Sequence, residues 1–144
     1  MSNLRTYTTK DGKELQILSE HVRTGGGNFK GICVSACLSY FDIQPHQYKY
    51  TSSKINTHTY LNVLRRFGWA VRSRKSALLK GTKTVGSVRR EISGYSDYTE
   101  DVVYLIHVKG HVMLLNANGD TIVDTDPRKV DRRRVFNVVA IFKS

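Results

Sequence analysis

Apolar positions along the chain change period from helical to alternating about two thirds of the way through. In the first part, Val34, Leu38 and Phe41 form one stripe of a helix predicted over 32–41. Asp42 to Pro45 ends it. Tyr60, Val63, Leu64 and Phe67 recur at helical spacing and predict a second helix over 57–67, stopped by Gly68. Trp69 to Arg72 reads as a short strand. Val85, Val88 and Ile92 predict a third helix over 84–93. The pattern then turns to strands: Val102–Val108, His111–Asn116, Thr121–Thr125 and Val135–Phe142. At the start, residues 5–8 and 14–18 predict a small hairpin around Asp11-Gly12. Helices followed by an antiparallel sheet make an α+β architecture.

The most informative stretch is GHVMLLNANGDTIVDTD, Gly110 to Asp126. Asn118-Gly119 between two apolar runs is a strong hairpin signal. With a two-residue turn there, His111 faces Asp126, and Asp124 is the diagonal neighbour on the same face. A turn centred one residue earlier puts Asp124 opposite His111. Either carboxylate would fix the tautomer of the imidazole and steady its protonated form. The alternative is that these aspartates pair with Arg128, Arg132 or Arg133. His107 lies inside a strand and reads as a sheet histidine. His111 follows the tight Lys109-Gly110 corner, where glycine allows close approach, and is the favoured base.

A base of this kind needs a nucleophile. The two cysteines, Cys33 and Cys37, are both in GICVSACLSYF. Cys33 falls in the first turn of the predicted helix, where unpaired amides favour a thiolate. Cys37 lies one turn further in and is placed to pack, the ordinary fate of a buried thiol. Two cysteines four apart on one helix are poorly placed for a disulfide. They read as free thiols in a reducing compartment. No cysteine and histidine spacing resembles a zinc site, and no cofactor is expected.

Composition sets the remaining bounds. A chain of 144 residues, 40% hydrophobic and 10% aromatic, suits one domain, residues 1–144, with one core. No apolar run approaches a membrane span, and the N-terminus has no signal-peptide core, so no membrane partner is expected. The expected location is cytoplasmic or virion-internal. Thr24-Gly25-Gly26-Gly27 resembles a linker. The net charge is +11. The excess gathers between Arg65 and Arg90 and again between Arg128 and Arg134. Such a field attracts an acidic peptide or nucleic acid, or serves solubility alone.

Taken together, Cys33 in ICVSACLSYFDI, His111 in GHVMLLN and Asp124 or Asp126 in IVDTDP resemble the papain-like cysteine peptidases. The likeness is to small phage-encoded proteins related to bacteriocin-processing peptidases, and it covers about residues 28 to 126. It implies an N-terminal cysteine helix packed on a C-terminal antiparallel sheet. It also implies acyl transfer through a Cys-His-Asp triad, by thioester formation and then hydrolysis. Such a protein would work in a phage host's cytoplasm. The family usually places a glutamine or asparagine several residues before the cysteine, to line the oxyanion hole. Asn28 is the candidate here, with the Cys33 N–H as the other donor. Ile32 departs from the polar residue that many relatives carry. The expected function is therefore a cysteine peptidase or isopeptidase. Another acyl-transfer enzyme (an amidase or a transglutaminase-like protein) and a non-catalytic basic protein contacting nucleic acid or a host complex are the alternatives.

Overall fold

The computed structural model describes residues 4–9, 12–18, 31–43, 57–73, 83–94, 102–109, 111–124 and 131–143. Seven strands and three helices lie within them. In chain order they are β1 (Leu4–Thr8), β2 (Glu14–Leu18), α1 (Gly31–Tyr40), α2 (Thr57–Arg66), β3 (Trp69–Ser73), α3 (Val85–Ser93), β4 (Val103–Val108), β5 (His111–Leu115), β6 (Thr121–Val123) and β7 (Val135–Lys143). β1 and β2 form an antiparallel hairpin of their own. The other five strands form one antiparallel sheet in the order β3-β7-β4-β5-β6. The last strand of the chain thus lies between the first and second strands of this sheet. The α+β class and each element read from periodicity are present, within a residue or two at the boundaries.

Both faces of the sheet are covered, which explains why its central strands are apolar at nearly every position. Leu105, Val112, Leu114, Val139 and Ile141 pack with residues of α1 and α2 on one face. Tyr104, Ile106, Met113, Leu115, Val138 and Ala140 pack with Val85, Val88 and Ile92 of α3 on the other. Strand alternation sorts neighbouring residues into the two layers.

α1 is enclosed on several sides. Four consecutive residues, Ala36, Cys37, Leu38 and Ser39, are all buried. One apolar stripe cannot bury four successive helical positions, so the helix must be covered on more than one face. β2 packs on it, as do β5 and β6. Its C-terminus is closed by Asp42 in the left-handed conformation, φ 62°. The Asp42 N–H donates to the Ser39 carbonyl (2.9 Å) and the Ile43 N–H donates to the Leu38 carbonyl (3.1 Å). This is a Schellman closure, with Leu38 and Ile43 in the same apolar cluster.

α2 buries Val63 and Leu64 and exposes Arg65 and Arg66 in its last turn. Cations there complement the helix dipole. Gly68 follows with φ 89°. Phe67, read from the sequence as part of the apolar stripe, is instead exposed. It lies past the helix end, where the spacing no longer holds. α3 is capped by the Thr84 hydroxyl, which accepts from the Ser87 N–H at 3.2 Å. Among the described residues, no helix is long and apolar enough to cross a membrane.

His107 lies in β4 opposite Asn137 and Val112, with its ring 6.1 Å from that of Phe136. Burial lowers its pKa below the ordinary 6.5. The unfolded chain therefore binds the proton more readily than the folded one. The stability that follows is fully present above about pH 6.5 and declines as pH falls through the lowered value. Urea unfolding at pH 7.5 and pH 5 should show this decline, and His107→Gln should make it shallower. Equal declines in both proteins would assign the pH dependence to other groups.

Candidate active site

The β5–β6 hairpin brings His111 and Asp124 together. His111 Nε2 lies 2.7 Å from Asp124 Oδ1, and the two side chains are only 7% and 10% exposed. A carboxylate only accepts hydrogen bonds, so Nε2 carries the proton. The lone pair of the neutral ring is then on Nδ1. Away from water such a contact is strong, and removing either partner would strand the other.

The turn that creates this pair differs from the two-residue one expected. The Asn116 N–H donates to the Asp120 carbonyl at 2.9 Å, and the Gly119 N–H to the Asn116 carbonyl at 3.0 Å. The loop therefore has three residues, Ala117 to Gly119, with Gly119 at φ 85°. This is a type I turn followed by a left-handed glycine. A type I′ turn would need positive φ at Asn118 too, and Asn118 does not have it. The Asn116 side chain stabilises the alternative by accepting from the Asn118 and Asp120 N–H groups at 2.9 and 3.0 Å.

Register is then corrected within β6. Leu115 faces Thr121, whereas Leu114 faces Val123, so Ile122 is an extra residue. Continuing that register past Val123 makes Asp124 the diagonal neighbour of His111, on the same face. The diagonal carboxylate, Asp124, bonds to His111. Asp126, the other candidate, lies outside the described residues, as do Asn28 and the Thr24–Gly27 stretch.

Cys33 is the third residue of α1, in its first turn. Its side chain lies outside the described residues. The course of the helix is set by its other end. Phe41, just past the C-terminus of α1, meets the ring of Trp69 edge-on at 4.7 Å. Trp69 faces Lys143 at one end of the sheet. His111 faces Val108, which faces Val135, at the opposite end. α1 packs along β5 and β6. Its N-terminus is therefore directed toward the end of the sheet that holds His111 and Asp124. By alternation His111 shares the face of Met113 and Leu115, while Val112 and Leu114 face α1. The imidazole thus stands at the rim where β5 begins. Cys37 is buried in the core, where its place on the helix put it.

Two contacts at this end of the sheet were not read from the sequence. The Tyr7 hydroxyl meets both backbone groups of Asp124. Arg133 donates from Nη2 to the Lys109 carbonyl at 2.6 Å, at the corner that leads into His111. Neither has a local signal, because the partners are distant in the chain. The basic clusters also divide. Lys83 pairs with Glu91 (2.7 Å) and Arg89 with Asp131 (3.1 Å). With Arg133, these residues hold the fold together. Arg65, Arg66, Arg72, Arg90, Arg132 and Arg134 are exposed. Arg74, Lys75, Lys80, Arg128 and Lys129 lie outside the described residues.

A comparison of the chain with protein-family models, with curated proteins and with solved structures finds no match to any of them.

Proposed function

We propose that the chain is a papain-like cysteine hydrolase acting on peptide or isopeptide bonds. Cys33 is the nucleophile, His111 the base and Asp124 the group that orients the base. The observation that carries this reading is the buried His111–Asp124 pair at the end of the sheet toward which α1 begins. Burial of an imidazole against a carboxylate is expensive to maintain and is characteristic of acid–base sites.

The chemistry follows from the tautomer. With Nε2–H on Asp124, Nδ1 takes the thiol proton, and Cys33 would approach it around the start of β5. The thiolate adds to the carbonyl carbon, and the oxyanion is met by the Cys33 N–H and by Asn28. The imidazolium returns its proton to the leaving amine, which leaves a thioester. Water deprotonated by His111 then hydrolyses it. Exposed Arg132 and Arg134, next to the Arg133 that meets the corner leading into His111, favour acidic substrates.

The test is a panel of acidic, neutral and basic peptides, isopeptides and simple amides, followed by mass spectrometry. Cleavage of at least one peptide or isopeptide, lost on Cys33→Ala, is the expected outcome. Asp124→Ala, which leaves His111 Nε2–H without this acceptor, should lower the rate by on the order of 10²- to 10⁴-fold. Turnover of simple amides alone would redirect the reading to an amidase. Salt-sensitive binding of nucleic acid that survives Cys33→Ala, with no cleavage, would replace it by the basic binding protein.

A further inference from the structure

The N-terminal hairpin reaches the same site from the far end of the sequence. Tyr7, the fourth of the five residues of β1, donates from its hydroxyl to the Asp124 carbonyl at 2.9 Å. The same oxygen accepts from the Asp124 N–H at 3.2 Å. The two residues are 117 positions apart. We infer that Tyr7 is a positioning residue that holds Asp124 against His111, an inference that rests on the hydrolase reading for its role in the reaction.

The argument starts from where Asp124 lies. β6 is the edge strand of the sheet and ends at Val123. Asp124 is the next residue, past the Leu114–Val123 pair of the β5–β6 ladder, and both its N–H and its carbonyl turn to Tyr7. One hydroxyl meets both. A hydroxyl is suited to this, since it donates once and accepts through its lone pairs. The fastening fixes the peptide groups on either side of the Asp124 Cα. That sets the direction in which the carboxylate leaves the backbone, and hence the 2.7 Å contact with His111.

The hairpin is itself anchored independently of this bond. Leu15, which faces Tyr7 across the hairpin, is buried in the α1 cluster. Lys13 Nζ donates to the Tyr40 carbonyl at 2.7 Å, at the far end of α1. Tyr7 is therefore held by a hairpin tied to the cysteine helix, and it holds the carboxylate in turn. One rigid unit links the element that carries Cys33 to the group that orients His111. Such a supporting layer is what keeps a catalytic constellation within a few tenths of an ångström of its working geometry.

The test uses the full chain and Tyr7→Phe, which keeps the ring and removes only the hydroxyl. Val71→Ala, in β3 at the edge of the sheet opposite β6, serves as a control for general destabilisation. Three readouts are taken: the far-downfield proton resonance of the His111 Nε2–H, hydrogen exchange at the Asp124 amide, and the pH profile of Cys33 alkylation by peptide mapping. In the wild type the resonance should be present, and His111→Ala should remove it. Tyr7→Phe should shift or broaden it and speed exchange at Asp124. It should also move the low-pH edge of the Cys33 alkylation plateau upward, because a less firmly held imidazolium stabilises the thiolate less. Val71→Ala should move none of the three.

If Tyr7→Phe matches Val71→Ala in all readouts, Tyr7 is a packing residue and the inference is overturned. If Cys33 behaves as an ordinary thiol in the wild type, yet Tyr7→Phe still moves the His111 resonance, the fastening of Asp124 stands and the hydrolase reading fails. A Tyr7→Phe chain that does not fold would leave the decision to the wild-type chain, in which the Asp124 amide should exchange slowly. Exchange there as fast as at an exposed turn overturns the inference.

Discussion

Cys33 should be alkylated by iodoacetamide along a plateau that extends below pH 6, and His111→Ala should abolish that plateau. An ordinary thiol, with a pKa of about 8.5, is only about 0.3% thiolate at pH 6. A thiolate paired with the His111 imidazolium would be ionised there almost completely, about 300-fold more. Much of that gain is offset, because a more stable thiolate is a weaker nucleophile. The shape of the profile is therefore the decisive observable rather than the rate at one pH. In His111→Ala, reactivity should rise only above pH 8, and hydrolysis should fall by at least about 10³-fold, since nucleophile and base act as a unit. A wild-type profile that already rises only above pH 8 would remove Cys33 from the catalytic role. Cys37 provides an internal reference, being buried one turn away on the same helix.

The second large effect is on stability, at Gly119. Gly119→Ala should destabilise the fold by about 3 kcal/mol. A left-handed backbone at φ 85° costs a residue with a Cβ roughly 1 kcal/mol. A Cβ there would also lie 2.5 Å from the Arg89 carbonyl oxygen. That neighbour is helix backbone and cannot rotate away, so overpacking adds roughly 1–3 kcal/mol. The Arg89 side chain meanwhile donates from Nη1 to the Gly119 carbonyl at 3.0 Å, locking turn against helix. Urea unfolding would measure the loss, which is a large share of the roughly 5–15 kcal/mol of a typical domain. A change below about 1 kcal/mol would mean that the turn is not packed against α3 as described. Because this turn opens β6, the variant should also disturb the His111–Asp124 contact more than its distance from the site suggests.

The two predictions meet in one piece of physics. Gly119 fits between the turn and α3 only as a three-residue loop with a left-handed glycine. That loop alone would shift β6 by one residue against β5. The extra residue, Ile122, shifts it back by the time the strands reach His111. The turn, the bulge and the carboxylate therefore form one device, and its output is the side-chain pair.

The periodicity of apolar residues was sufficient to find the helices, the strands and the N-terminal hairpin. Period and capping are local properties, set by neighbours within a few residues. The thiol at the opening of α1, the buried Cys37 and the histidine at the start of β5 were legible for the same reason. The turn at Asn118-Gly119 was legible as a turn, but not in its type. Two loops fit the dipeptide, and the choice between them depends on packing against Arg89, some thirty residues earlier. The partner of His111 was legible only to parity: Asp124 and Asp126 fall on the same face in any simple register, and the bulge at Ile122 brings the diagonal Asp124 into contact. The insertion of β7 between β3 and β4, the direction of α1 and the reach of Tyr7 to Asp124 were decided by tertiary structure alone. Each depends on contacts between segments far apart in the chain, whose free energy is shared among many apolar residues. No short stretch of sequence carries that information, whereas the chemistry of each side chain was present from the start.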